Sequence, residues 1–267
     1  MRNRMRIQET DMADDRETTA SGLESLRGRV ALVTGASSGI GAAIAEALAQ
    51  AGVRVALAAR RVERLEQLAT RLTPAETLPI ACDVREEEQV KAAVAKTLER
   101  WGQLDILIAN AGFGYRAQTI AGDTAVWKNM IDTNVYGLLL TLKHGVPPLL
   151  ERGSGHVVVM SSIAGVVVTP GGGAYCGSKA AASAIADALR MEVGPKGVAV
   201  TAIEPGVVIS EFQEVAGYTP DIVPNMLQGA TPLYPPDVAR AVIFACQQPA
   251  NTGLSELIIR PRGQARP

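Results

Sequence analysis

From Arg29 onward the chain alternates short aliphatic runs with longer stretches of helical periodicity, and that alternation restricts the fold more than any other feature. "RVALVT" (29–34) reads as a buried strand and "AAIAEALAQAG" (42–52) as a helix, with Ile44 and Leu48 one turn apart and Gly52 as its stop. "VRVALAA" (53–59) is the next strand, followed by the helix "RVERLEQLATRL" (61–72), whose Leu65, Leu68 and Leu72 share one stripe. Further strands are expected at about 77–82, 105–109, 155–161, 198–203 and 256–260, with helical segments between most of them. Seven strands joined by crossover helices predict an α/β fold with a parallel sheet covered on both faces. Right-handed crossovers make that sheet doubly wound, and ligands then bind beyond the carboxyl ends of the strands.

The rest of the chain adds exclusions. Its 267 residues, 47% apolar, suit one large domain or two small ones, and a net charge of −1 gives no basic field for nucleic acid or an anionic membrane. Residues 153–178 hold no charged side chain, but Gly, Pro, Ser and His interrupt them too often for a membrane span. Cys82, Cys176 and Cys246 form no CxxC pair, and His144 and His156 are the only histidines, so neither a disulfide framework nor a metal site is expected. A reducing cytoplasm is the expected location. Cys176 is read as a small packing residue. The polar, mixed-charge N-terminus predicts a disordered leader over 1–27 and a folded domain over 28–267, with a Pro-rich loop at 220–236.

"TGASSGIG" (34–41) stands between the first strand and the first helix. Glycines allow a sharp turn and close approach to a pyrophosphate, and the helix start offers free N–H groups, so Gly35, Ser37, Ser38, Gly39, Ile40 and Gly41 are candidate dinucleotide contacts. The second strand ends "LAARR", with no acid to hold the ribose 2′-hydroxyl of NAD. Arg60 and Arg61 instead suit the 2′-phosphate of NADP, which guanidinium holds with paired hydrogen bonds. Arg60 is the stronger candidate, because Glu63 and Glu66 beside Arg61 suggest a solvated helix face.

"AYCGSK" (174–179) places Tyr175 and Lys179 one helical turn apart, where the ammonium is expected to lower the phenol's pKa. Ser162 ends the strand "HVVVMSS" at the ligand side of the sheet, thirteen positions before Tyr175. Together these residues suit hydride chemistry at a carbonyl: Tyr175 supplies the proton, Ser162 orients the oxygen, and Lys179 tunes Tyr175.

With "CDV" (82–84), "NAG" (110–112), "NVYG" (134–137), "SSIAG" (161–165) and "EPGVVIS" (204–210) added in order, the chain over about residues 28–260 resembles the short-chain dehydrogenase/reductase family. The resemblance implies a single Rossmann-fold domain and an NADP-dependent oxidoreductase acting on a small carbonyl or alcohol. It implies that Asn134 joins Ser162, Tyr175 and Lys179 as a catalytic residue, holding a water that links Lys179 to solvent. It places Asp83 and Val84 at the adenine and Asn110, Ala111 and Gly112 along the cofactor cleft, and it brings Pro205, Gly206, Val208 and Ser210 to the nicotinamide carboxamide. It also implies a homo-oligomer, a dimer or tetramer. The segment of about 207–230 is expected to be a mobile lid, and Phe113–Arg116, Ile163–Gly172 and Glu211–Gly229 to bound a partly apolar substrate pocket. Two other readings stay open at this stage: an isomerase working through transient oxidation, and a cofactor-sensing regulator without turnover.

Overall fold

The computed structural model describes residues 23–264. Seven strands, β1 (Val30–Thr34), β2 (Arg54–Ala59), β3 (Thr77–Ala81), β4 (Ile106–Ala109), β5 (Gly155–Met160), β6 (Val198–Pro205) and β7 (Glu256–Ile259), form one sheet in the order β3-β2-β1-β4-β5-β6-β7. Every neighbouring pair is parallel. Between them run α1 (Gly39–Gln50), α2 (Val62–Arg71), α3 (Glu87–Trp101), α4 (Thr124–Ile131), α5 (Gly137–Arg152), α6 (Gly173–Val193), α7 (Phe212–Val215), α8 (Ile222–Leu227) and α9 (Pro235–Cys246). The doubly wound sheet expected from the alternation is present.

Two apolar layers hold the helices to the sheet. Ala31 and Val33 of β1 face Ile44 and Leu48 of α1, Leu65 and Leu68 of α2 and Val242 of α9. Leu32 points the other way, into a layer with Val94 of α3, Leu142 and Val146 of α5 and Ala186 of α6. Strand side chains alternate between faces, so a sheet covered on both sides needs unbroken aliphatic runs. All five residues of β1 are buried accordingly.

β1 sits between β2 and β4, and the chain winds away from it in opposite directions. The loops after β1 and β4 therefore diverge and leave a crevice at the carboxyl end of the sheet.

Two expectations are corrected. The leader assigned to 1–27 lies outside the described residues up to residue 22, but its last five residues belong to the folded body. Leu26 is buried in the core beside α1, and Glu24 N–H donates to Gln247 O at 2.8 Å. The Pro-rich piece 220–236 is not only loop: it contains α8 and the start of α9, where Pro235 takes the first helical position that its missing N–H suits. Helix α6 begins at Gly173, which puts Tyr175 in its first turn and Lys179 one turn further on, as the spacing implied.

Candidate active site

The glycine-rich turn owes its shape to two close approaches. Gly35 has φ +69°, open to glycine at no steric cost. At Gly41 an added Cβ would fall 2.3 Å from the Gly35 carbonyl oxygen and 2.5 Å from Asn110 Nδ2, so only a bare Cα fits. Asn110 Nδ2 donates to Thr34 O (2.9 Å), and the Asn110 and Ala111 amides donate to Thr34 Oγ1 (3.0 and 3.2 Å). Thr34 thereby ties the end of β1 to the end of β4, a role its place in the sequence did not announce.

A cleft of about 440 Å³ opens from this turn. Along it lie the Gly35–Gly41 loop, Arg60 and Arg61, Asp83 and Val84, Asn110–Gly112, Tyr175 and Lys179, which the sequence had marked from five separate stretches. Both arginines are exposed along the cleft. Arg61 reaches the loop, donating to Ser38 Oγ (2.7 Å) and Ser37 Oγ (3.1 Å), whereas Arg60 stays at the rim. Asp83 is clamped by Arg85, whose Nε donates to Oδ1 at 2.9 Å, and that guanidinium holds the carboxyl below its usual range. Val84 is buried against Gly137, where an added Cβ would meet its Cγ2 at 2.7 Å.

Two residues beyond β5, Ser162 is in extended backbone and lies beside Tyr175 at the smaller cavity; its Oγ accepts from the Ala164 amide (3.1 Å) and donates to Pro205 O (3.5 Å). Ser161 faces elsewhere, donating to Lys179 O at 3.0 Å and meeting Ser183 Oγ at 2.8 Å. Asn134 lies in a π-helical turn, Asp132–Tyr136, that joins α4 to α5. Its Oδ1 accepts from Phe113 N (3.0 Å), and its Nδ2 donates to Phe113 O (2.8 Å) and Ser178 Oγ (3.0 Å). Lys179 Nζ donates to Met160 O at 2.8 Å. Gly112 stands at the meeting point of these groups: a Cβ there would lie 3.0 Å from Asn134 Oδ1 and 3.5 Å from Lys179 Nζ.

The expected electrostatics are not found. Burial of the phenol end pushes the Tyr175 pKa well above the usual tyrosine range, and the Ser162 hydroxyl beside it offsets only part of that rise. Burial likewise lowers Lys179 to about 8. Being one turn apart aligns two side chains but does not join them: the ammonium is aimed at the Met160 carbonyl, and desolvation decides both groups.

Beyond Tyr175 lies a second, smaller cavity of about 130 Å³, bounded by Ser162, by Pro205–Val208 and Ser210, and by the 211–227 segment. Tyr175 borders both cavities. Its ring meets Phe212 at 5.5 Å between centroids, and Phe212 in turn meets Tyr218 edge-on at 6.1 Å. Gly114 makes room for this stack, since a Cβ there would come within 2.4 Å of the Phe212 ring. Gln213, unmarked in the sequence, braces the loop: its Oε1 accepts from Ser210 N (3.0 Å) and its Nε2 donates to Val208 O (2.8 Å). Glu211 turns outward and pairs with Arg64 (2.7 Å) and Arg61 (3.3 Å).

Comparison with known proteins gives a family match over residues 29–219 to the short chain dehydrogenase model. Glycine betaine reductase ATRR of Emericella nidulans is 40% identical over 242 residues; these are 90% of this chain, which spans only 19% of that protein's length. An uncharacterized oxidoreductase of Staphylococcus saprophyticus is 39% identical over 240 residues, 88% of this chain and 98% of the relative. Among solved structures, the alcohol dehydrogenase of the archaeon Thermococcus sibiricus, complexed with 5-hydroxy-NADP, superposes with a TM-score of 0.80 at 33% identity, covering 90% of this chain and 98% of that one.

Proposed function

The chain belongs to the short-chain dehydrogenase family, and from that premise we propose that it interconverts a small carbonyl compound and its alcohol with NADP, Tyr175 handling the proton. The observation that carries this reading is the position of Tyr175, which borders both the cleft and the smaller cavity and lies beside Ser162 at the latter. A group transferred between a cofactor in one and a substrate in the other passes beside that hydroxyl.

The cleft fits a dinucleotide on its own evidence. Bare Cα atoms at Gly35 and Gly41 let the backbone approach a pyrophosphate, and the start of α1 presents unpaired N–H groups to it. Arg61, with Arg60 at the rim and no acid at the end of β2, suits a 2′-phosphate. The NADP-type ligand held by the T. sibiricus enzyme supports the same choice. A bound reduced nicotinamide supplies hydride to the carbonyl carbon.

The protein's own part is proton transfer and orientation. Ser162 donates to the carbonyl oxygen and positions it, and Tyr175 passes its proton to that oxygen. The raised pKa keeps the phenol protonated at neutral pH, as a donor in the reductive direction requires. Lys179, lowered to about 8, exchanges protons readily near that pH; aimed at the Met160 carbonyl rather than at Tyr175, it resupplies the phenol only through an intervening hydroxyl. Asn134 holds the Phe113 backbone and the α6 residue Ser178 in register around Gly112, which shapes the route to Lys179.

The test follows NADPH and NADH oxidation with a panel of aldehydes, ketones and oxo acids, for the wild type and Tyr175→Phe. NADPH is expected to be preferred, and the variant to lose at least about 100-fold in kcat while still quenching on NADPH titration. Undiminished turnover in Tyr175→Phe would remove the proposed proton donor.

A further inference from the structure

The cavity beyond Tyr175 carries a charge for which proton and hydride transfer have no use. Among the described residues that line it, Arg116 is the sole one charged at neutral pH. Its guanidinium makes no ion pair or side-chain hydrogen bond with any described residue, although it is half-buried. Of the other arginines near the site, Arg61 and Arg64 share Glu211 and Arg85 holds Asp83, whereas Arg60 has no such partner but is exposed at the rim of the larger cleft.

Arg116 is also held in place. Its amide donates to Ala216 O (3.1 Å) in the segment after β6, and the next amide, Ala117, donates to Gly171 O (2.9 Å) in the loop after β5. The side chain runs along the bare Cα of Gly171, where an added Cβ would lie 3.6 Å from both its Nε and its Cζ. Burial raises the pKa of the neighbouring Tyr218 hydroxyl, and the Arg116 charge pulls against that rise, so the two groups act on one another. Much of the remaining wall is apolar, including Ile163, Val167, Val207 and Met226. A guanidinium on an anchored backbone at the wall of a largely apolar cavity, with no acid among the lining residues, suits an anion; its planar fork matches a carboxylate.

We propose that the substrate is a small oxo acid, or the corresponding hydroxy acid, whose carboxylate is read by Arg116 while its carbonyl lies at Ser162 and Tyr175. This rests on the oxidoreductase reading above and narrows its substrate class. Arg116 changes no bond: the carbonyl carbon gains the hydride and its oxygen the proton, as already described, and the carboxylate passes through unaltered. The cavity's modest size, about 130 Å³ against about 440 Å³ for the cleft, favours a short carbon skeleton.

The test uses matched pairs, pyruvate, acetoacetate, 4-oxobutanoate and 4-oxopentanoate against their methyl esters, each with NADPH and the wild type, Arg116→Gln and Arg116→Lys. The ratio of kcat/KM for acid over ester is the readout, so a smaller fraction of folded enzyme cancels. For the best-fitting skeleton the wild type is expected to favour the acid by about 10–100-fold, a preference lost in Arg116→Gln and partly kept in Arg116→Lys. Equal turnover of acid and ester, or a preference that survives Arg116→Gln, overturns the assignment while leaving the oxidoreductase reading intact. Butanoate, which cannot be reduced, supplies a second readout by calorimetric titration of the NADPH-saturated protein. Saturable binding lost in Arg116→Gln upholds the anion site even if no pair turns over, in which case the failure belongs to the oxidoreductase reading; absence of binding together with absence of acid preference sinks the inference.

Discussion

Lys179 shows what a single residue costs. Its ammonium is buried with one carbonyl partner, and its pKa falls from 10.5 to about 8. Folding therefore disfavours the charged form that the unfolded chain carries at neutral pH, at a cost of up to about 3 kcal/mol. Lys179→Met removes that cost and loses a hydrogen bond of about 1 kcal/mol, so a net gain of about 1–2 kcal/mol is expected at pH 7. The sign has a pH signature. Below about 8 the gain is full; it shrinks as pH rises towards 10.5, where the unfolded lysine also becomes neutral. Denaturant unfolding of both proteins at pH 7 and 10 measures it, and a destabilised variant at pH 7 would refute the account. Ser162, Tyr175 and Lys179 were legible in the sequence because strand ends and helical spacing are local facts. Their pKa shifts were not, since burial is decided by side chains that arrive from elsewhere in the chain. Thr34 escaped for the same reason: nothing around it shows that its hydroxyl will receive two amides from β4's exit.

At the scale of elements, the strand and helix pattern was readable to within about three residues for the long, periodic segments, because both faces of the sheet demand continuous aliphatic runs. The short α7 and α8 offered too few turns for a period to show, and the π-helical turn at Asn134 leaves no mark on hydrophobic spacing. The junction of β1 and α1 is sensitive to a single methyl group. Gly41→Ala drives a Cβ into the Gly35 carbonyl and the Asn110 amide, neither of which can yield without moving the turn. The expected outcome is a loss of about 1–3 kcal/mol in stability and a weakening of NADPH binding by at least tenfold. Thermal melts and fluorescence titration read the two effects separately. Normal binding in a normally stable variant would show that the tight turn is not what shapes the cleft.

Across the whole molecule, the site draws on residues from Gly35 to Ser210, gathered from loops at one end of the sheet. Neighbouring β1 and β4 are distant in the chain: Ala31 pairs with Ile106, and the Val30 amide donates to an Asp105 side chain 75 positions away. That arrangement bears on time as well as shape. Parallel pairings between remote segments must close long loops before any contact repays them, so they form slowly, whereas the helices can form early from their own short-range contacts. The refolding chain is accordingly expected to regain its helical circular dichroism first and its capacity to bind NADPH only in the slowest phase; simultaneous recovery would contradict this order. While β1 and β4 remain apart, a newly made chain has the ingredients of the cleft and no cleft, and its competence arrives in one step, late.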